Sequence, residues 1–329
     1  EKLEGNIKIS GSKNSSLPIL AATLLLEGQS RITNVPNLTD VLFMLKILKS
    51  LSSNVNFNNS ICEIKPNIPK NLKVSYELVR KMRASFLILG PLLAKYGQAE
   101  ISLPGGCAIG TRPVDIHIKA LEKMGAQFLI KDGYIKGIVN GKLKGCEIKF
   151  RKISVGATEN LIMAATLAEG NTIIKNAACE PEISDLSNFL IESGAEITGH
   201  GTSTIKIKGK KRLIGCEYNV MPDRIEAGTF ALSVMGCSGK IVLENINDLV
   251  STHLKSIFKP LNLLSLKKKD NGKILIVKKL KEKFKEIKVY TKEFPGFPTD
   301  LQAQLTASLM KSQGQSCVRE NIFENRFMH

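Results

Sequence analysis

The sequence contains no tryptophan, and aromatic residues make up only 5% of its 329 residues. Arginine is also scarce, because 38 of the 47 basic residues are lysine and nine are arginine, in a chain with a formal net charge of +17. Proteins that bind nucleic acids usually combine lysine with arginine and with aromatic side chains that stack on bases. Such aromatics are few even in the lysine-rich segment 267–288, which holds ten lysines. The composition therefore argues against nucleic-acid binding and is compatible with a small anionic substrate.

Long apolar runs and paired cysteines are missing as well. No apolar run reaches the ~20 residues that span a bilayer, and no basic segment followed by an apolar one indicates a secretory signal. The seven cysteines lie singly along the chain, without the close spacing of a zinc site or of a disulfide framework. These features predict a cytoplasmic protein with reduced thiols, no metal and no membrane partner.

A repeat of about 70 residues runs through the chain. Its markers are Gly28, Gly97, Gly170, Gly239 and Gly314, each of which follows an apolar helical segment and precedes a short alternating strand. A glycine in that position is typical of a helix C-cap. The repeat therefore predicts five α/β units, and the length of the chain favours two domains.

Each unit continues with a second helix behind an Asp or Thr and then a second strand, but the fifth unit stops at His329 after its first helix and strand. We therefore expect a truncated chain. The predicted domains are residues 14–221, with three units, and residues 1–13 plus 222–329, which form an incomplete second domain.

The segment 104–113 is the most distinctive loop. Three glycines and two flanking prolines surround Cys107, and Arg112 follows it just before a predicted helix. Cationic neighbours and helix N-termini favour the reactive thiolate form of cysteine. Most free cysteines are inert small apolar residues, so a reactive and an inert Cys107 both stay open on this ground alone.

Other polar segments are weaker signals. Residues 11–16 join a predicted strand to a predicted helix and contain Lys13, so they suit either an anion cradle or a plain turn. Arg83 and Arg224 lie at predicted helix starts, where each could serve in a functional site or form a surface salt bridge. Asp300 is a helix N-cap by default and a general base only if the fold brings it to a substrate.

Seven segments, in order along nearly the whole chain, resemble the UDP-N-acetylglucosamine enolpyruvyl transferase family. They are GSKNSSLPIL (11–20), RKMRASFLILGPL (80–92), SLPGGCAIGTRPVDIH (102–117), KISVGAT (152–158), PDRIEAGTF (222–230), FPTDLQAQ (297–304) and FENRFMH (323–329). The resemblance is weakest between residues 249 and 292. It implies a two-domain inside-out α/β barrel of repeated units, which is the enolpyruvyl transferase fold. It also implies transfer of an enolpyruvyl group to UDP-N-acetylglucosamine, the first committed step of peptidoglycan synthesis, without a metal or a cofactor. The alternatives are the related shikimate-pathway enzyme and an inactive truncated remnant.

The resemblance also implies roles for individual residues. Cys107 would protonate C3 of phosphoenolpyruvate (PEP), form a covalent adduct with it and be alkylated by fosfomycin. Lys13 with Asn14, and Arg112, would bind PEP, and Asp300 would position or deprotonate the sugar 3-hydroxyl. The implied UDP-N-acetylglucosamine contacts are Arg83, Pro113, Val114, Asp115, Ile116, Lys152, Ser154, Val155, Gly156 and Ile322. Glu324 and Arg326 would lie near the cleft in which this family binds its substrates.

Overall fold

A computed structural model describes residues 2–79, 83–102, 114–281 and 283–329, and of Arg83 it describes the backbone alone. Four of its sheets share one strand order. In each four-stranded sheet, the first strand pairs in parallel with the second, which follows a helix in the chain. The second strand pairs antiparallel with the third, and the third and fourth strands form a hairpin. From one edge to the other, the first sheet contains β15 (Glu217–Asn219), β3 (Ser30–Thr33), β5 (Ile61–Lys65) and β4 (Asn54–Asn58), and the second contains β6 (Lys73–Val74), β7 (Gln98–Ser102), β9 (Tyr134–Val139) and β8 (Ala126–Lys131). The third sheet contains β10 (Glu147–Lys149), β11 (Asn171–Lys175), β13 (Thr204–Lys208) and β12 (Glu196–Thr198). The fourth contains β1 (Leu3–Lys8), β16 (Gly239–Glu244), β18 (Ile274–Lys279) and β17 (Leu264–Lys269).

Two parallel strand pairs complete the sheets of the described residues. They are β14 (Leu213–Ile214) with β2 (Leu26–Glu27), and β19 (Lys288–Tyr290) with β20 (Cys317–Arg319). The second pair has the arrangement of the first two strands of each larger sheet. The fifth sequence repeat therefore builds the parallel pair that begins each of the four larger sheets.

The helices alternate with the strands along the chain. They are α1 (Lys13–Ala22), α2 (Thr39–Ser50), α3 (Tyr76–Val79), α4 (Leu89–Tyr96), α5 (Asp115–Lys123), α6 (Val155–Ala165), α7 (Pro181–Glu192), α8 (Arg224–Cys237), α9 (Asp248–Phe258) and α10 (Gln302–Leu309). Short 3₁₀ turns cover Thr23–Leu25, Arg83–Ile88, Lys259–Leu261, Asp270–Gly272, Thr299–Leu301 and Arg326–Met328. Within the described ranges, no helix is both long and apolar enough to cross a membrane.

The chain contacts divide the described residues into two units. The larger unit contains residues 12–102 and 114–220 in their described parts, and the smaller unit contains residues 2–11 and 221–329 in theirs. Each unit has its own apolar core. The functional domains expected at 14–221 and at 1–13 plus 222–329 stay a prediction.

Helices α1 and α6 form the interior of the larger unit. Every residue from Ser15 to Ala22 in α1 and from Ala157 to Ala165 in α6 is buried. The sheets have one buried and one more accessible face, as the alternating burial along β13 shows. In this unit α1 and α6 are therefore inner helices, whereas strands such as β13 keep one accessible face.

All five marker glycines have a positive φ, with values of 84°, 70°, 87°, 114° and 97° in chain order. That backbone conformation favours glycine because it has no Cβ. Gly97 is the predicted C-cap, of α4, but this prediction is wrong for the other four helices, whose C-caps are Thr23 in α1, Thr166 in α6, Ser238 in α8 and Met310 in α10. The Thr23 and Thr166 hydroxyls donate to carbonyls three residues earlier at 2.6 and 2.7 Å.

An asparagine after the first strand of the repeat ties neighbouring strands together. Asn34, Asn176 and Asn245 have φ near 56–59°, a conformation that asparagine tolerates. Their side-chain amides donate to the main-chain oxygens of Val220, Phe150 and Ile9 at 2.8, 3.1 and 2.6 Å. Each acceptor lies at the end of the parallel neighbour, so the asparagine extends the pairing by one bond.

Candidate active site

The predicted site residues fall into three groups. Cys107, Arg112, Pro113 and the side chain of Arg83 lie outside the described residues. The larger unit contains Lys13, Asn14, Val114, Asp115, Ile116, Lys152, Ser154, Val155 and Gly156. The smaller unit contains Asp300, Ile322, Glu324 and Arg326. Each unit thus contributes a cluster of its own.

Lys13 lies at the first position of α1, where the side-chain oxygen of Ser12 accepts the N–H of Ser15 at 3.2 Å. Its ammonium lies 3.3 Å from a carboxylate oxygen of Asp40, in the first turn of α2. In the sequence, Asp40 is one of the Asp and Thr residues that open the second helix of a repeat unit. Its pairing with Lys13 depends on how α1 packs against α2, which no local pattern contains.

Because Lys13 is predicted to bind PEP, we expect Asp40→Asn to raise the KM for PEP by up to about fivefold, since an exposed ion pair such as Lys13–Asp40 contributes roughly 0.2–1 kcal/mol. The amide keeps the shape of the carboxylate but no longer holds the ammonium by charge. Steady-state kinetics at varied PEP would measure the effect. Glu147→Gln is the matched control: it removes the exposed Lys175–Glu147 pair, at 2.7 Å, and should leave the KM unchanged. Equal behaviour of the two variants would contradict a role for Asp40.

The first turns of α5 and α6 form the second cluster of the larger unit. Ser154 is the N-cap of α6, and its side-chain oxygen accepts the N–H of Ala157 at 3.3 Å. The ring of His117 lies over this turn, so that a Cβ on Gly156 would lie 3.4 Å from its Cε1 atom. Helix N-termini attract anions through their free N–H groups and dipoles. The predicted nucleotide-sugar stretches thus adjoin in a place that suits phosphate groups.

A buried carboxyl group lies close to this cluster. Burial, reinforced by the nearby charges of Glu182 and then Glu180, raises the pKa of Glu159 well above its ordinary value. Sequence analysis missed Glu159, because its place on the inner face of α6 is set by packing. Within the described ranges, no three His, Cys, Asp or Glu residues are grouped so that they could hold a metal ion.

Asp300 is the centre of the smaller unit's cluster. It lies in the 3₁₀ turn before α10, and its Oδ1 accepts a hydrogen bond from Arg326 at 2.8 Å. One oxygen of Glu320 accepts the N–H groups of Ile322 and Phe323 at 2.8 and 3.1 Å, and the other accepts the Thr299 hydroxyl at 3.0 Å. Glu320, which sequence analysis missed, thus joins the Ile322 segment to the turn that carries Asp300.

His253 supports Arg224 in the smaller unit. Its Nε2 lies 3.3 Å from a guanidinium nitrogen of Arg224, and its ring packs against Phe294 with centroids 5.0 Å apart and planes tilted by 34°. Because a guanidinium can only donate, Nε2 accepts and the ring is neutral. Burial, together with the charge of Arg224, lowers the pKa of His253 from 6.5 to about 3.

Stability should therefore fall in mild acid. The unfolded histidine takes up a proton below about pH 6.5, whereas the folded one resists until about pH 3. The free energy of unfolding should drop by about 2 kcal/mol more between pH 7 and pH 5 than it does without this group. Urea unfolding of the unaltered protein and of His253→Gln at both pH values would measure this. Identical pH dependence in the two proteins would contradict the assignment.

Four of the other cysteines are poorly suited to act as nucleophiles. Burial raises the pKa of the thiols of Cys62, Cys146, Cys179 and Cys216, that of Cys62 to about 12. A thiol whose pKa is raised forms little thiolate at neutral pH. Among the described cysteines, Cys237 and Cys317 are the two exposed ones.

Comparisons with known proteins agree with this organisation. The family model described as EPSP synthase (3-phosphoshikimate 1-carboxyvinyltransferase) matches residues 1–329. Among solved structures, the enolpyruvyl transferase NikO from Streptomyces tendae has a TM-score of 0.85 at 18% identity, covering 100% of this chain and 77% of that one. An EPSP synthase from Acinetobacter baumannii has a TM-score of 0.69 at 18% identity, covering 96% and 73%. The chain therefore has the enolpyruvyl transferase fold.

Curated relatives are closer in sequence. A UDP-N-acetylglucosamine 1-carboxyvinyltransferase from Nitratidesulfovibrio vulgaris is 48% identical, over 99% of this chain and 77% of the relative. Proteins of the same name from Coxiella burnetii and Pelagibacter ubique are 46% and 48% identical, over 99% and 100% of this chain and 75% and 78% of theirs. The chain belongs to the family of UDP-N-acetylglucosamine 1-carboxyvinyltransferases, within the EPSP synthase family.

Proposed function

We propose that this protein transfers the enolpyruvyl group of PEP to the 3-hydroxyl of UDP-N-acetylglucosamine and releases inorganic phosphate, the first committed step of peptidoglycan synthesis. The observation that carries the proposal is the identity of 46–48% with relatives of that name over nearly the whole chain. The unpaired cysteines support a location in the cytoplasm.

The reaction needs one base, one acid and cations for the phosphate. Asp300 would take the proton of the 3-hydroxyl, and the resulting oxygen would attack C2 of PEP while Cys107 gives a proton to C3. The Cys107 thiolate left by that step would take a proton back from C3 of this tetrahedral intermediate as phosphate leaves C2, which yields the enolpyruvyl ether. Lys13, with Asn14 beside it, and Arg112 would bind the phosphate and carboxylate of PEP by charge-assisted hydrogen bonds.

The two predicted roles of Cys107 make opposite demands. Protonation of C3 requires the thiol, whereas formation of a covalent adduct with PEP requires the thiolate. A group that titrates near neutral pH would supply both forms. Because PEP already carries its own leaving group, none of these steps calls for a metal or an organic cofactor.

The remaining predicted residues would bind the nucleotide sugar. The first turns of α5 and α6 supply Val114, Asp115, Ile116, Ser154, Val155 and Gly156, with Lys152 just before them. In the smaller unit, the predicted contact is Ile322, in the segment that Glu320 joins to the turn carrying Asp300. The two groups would then lie on the domains expected at 14–221 and at 1–13 plus 222–329.

Phosphate release with two different acceptors tests the proposal. With PEP present, UDP-N-acetylglucosamine should support release, and shikimate 3-phosphate should not. Release with shikimate 3-phosphate alone would instead assign the protein to the shikimate-pathway reaction. If neither acceptor supports phosphate release, the result would favour an inactive remnant.

A further inference from the structure

One buried amide connects two helices and a histidine ring in the larger unit. Asn160, in α6, is 1% exposed. Its Oδ1 accepts the N–H of Gly90 at 2.6 Å, and its Nδ2 donates to the main-chain oxygen of Phe86 at 2.9 Å. Because a main-chain N–H can only donate and a carbonyl can only accept, these two bonds fix which end of the amide is oxygen and which is nitrogen.

The same nitrogen determines the protonation of His117. Nδ2 of Asn160 also lies 3.0 Å from Nδ1 of His117. Since Nδ2 is a donor, Nδ1 must accept, and a neutral ring then carries its proton on Nε2. Protonation of Nδ1 would bring two donors face to face. The ring of Phe86 packs edge-on against His117, with centroids 5.2 Å apart and planes at 85°, which holds the ring in place.

The Cε1 and Nε2 atoms of the same ring lie over the first turn of α6. A Cβ on Gly156 would lie 3.4 Å from Cε1 and 3.6 Å from Nε2 of His117, an ordinary van der Waals contact. Ser154, the N-cap, begins the same turn. The Nε2–H therefore adds a side-chain donor to the main-chain N–H groups that open the helix. A group of donors of this kind suits the oxygens of a phosphate.

We propose that Asn160 is a positioning residue that keeps His117 neutral, with its proton on Nε2, as a hydrogen-bond donor to the diphosphate of the nucleotide sugar. The inference rests on the proposed function for the identity of the ligand. Asn160 acts through His117 and need not touch the substrate. It lies outside the motif positions that the family resemblance assigns to binding.

The first test reads the tautomer directly. The chain has only four histidines, so long-range ¹H–¹⁵N spectra of protein labelled at histidine can be assigned with His117→Gln. We expect the Nε2–H tautomer at position 117 in the unaltered protein and its loss in Asn160→Asp, whose carboxylate would favour a proton on Nδ1. A proton on Nδ1 in the unaltered protein would overturn the inference.

The second test is a double-mutant cycle on the Kd for UDP-N-acetylglucosamine, measured by calorimetry. Asn160→Asp should weaken binding by roughly tenfold to a hundredfold, the effect of one hydrogen bond to a charged group. In a His117→Gln background, whose amide donates without a tautomer, the same change should cost about twofold or less. Equal losses in both backgrounds would assign Asn160 a purely structural role and overturn the inference.

A third pair of variants keeps the inference testable if Asn160→Asp does not fold. His117→Gln should bind UDP-N-acetylglucosamine nearly as well as the unaltered protein, and His117→Phe should lose about tenfold or more. Unchanged binding by His117→Phe would overturn the inference and leave the proposed function intact. Absence of binding by the unaltered protein would overturn both.

Discussion

Replacing Cys107 by alanine should lower the rate of phosphate release by about 10²–10⁴-fold, the usual contribution of a positioned proton donor, and should abolish any covalent adduct. The burial of four other thiols adds weight to this expectation. Cys62, Cys146, Cys179 and Cys216 have raised pKa values, so none of them offers a thiolate that could substitute. The rates of phosphate release by the unaltered protein and by Cys107→Ala, measured at equal protein concentration, would give the size of the loss.

Fosfomycin provides an independent measurement of the same residue. Incubation should add one molecule per chain, on the peptide that contains Cys107. Cys107→Asp should resist labelling and keep part of its activity, because a carboxylic acid can still give a proton but offers no thiolate. The exposed thiols of Cys237 and Cys317 are the controls, and their replacement by alanine should leave labelling unchanged. Label on either of them instead of Cys107 would contradict the assignment.

Asp300→Asn should lower kcat by about 10²–10⁴-fold while UDP-N-acetylglucosamine still binds. The amide keeps the size of the carboxylate but cannot take the proton of the 3-hydroxyl. Calorimetry for binding and phosphate release for turnover separate the two effects. Asp270→Asn, an equivalent change in the turn between β17 and β18, should leave both unchanged. A kcat within tenfold of the unaltered value would exclude Asp300 as the base.

The partners of Asp300 give a graded version of this experiment. Arg326→Lys keeps the positive charge but loses the planar donor set, so kcat should fall by less than in Asp300→Asn. Glu320→Gln weakens the bonds that join the Ile322 segment to the Asp300 turn, and it should affect both the Kd for the nucleotide sugar and kcat. Loss of binding alone in Arg326→Lys would contradict a role in holding the carboxylate.

Much of the fold could be predicted from the sequence because the repeat is local. A positive-φ glycine before the first strand and an asparagine after it recur at intervals of about 70 residues, and each reflects a backbone conformation that few other residues accept. The prediction of glycine C-caps was wrong for every marker glycine except Gly97, because the other four helices end one or more residues before the glycine. The distance from the last helical turn to the glycine varies from unit to unit, so the repeat pattern alone does not determine it.

The sequence by itself determined the α/β repeat, the family and the loops that carry Lys13, Cys107 and Asp300, since those signals are contiguous segments. Only the tertiary structure decided which groups surround them. Asp40 meets Lys13, Glu320 joins Thr299 to the Ile322 segment, and Asn160 lies between Phe86 and His117. The physical reason is that hydrogen bonds and ion pairs form across space, between residues that lie on different helices and turns. No local pattern records which buried group will find which partner.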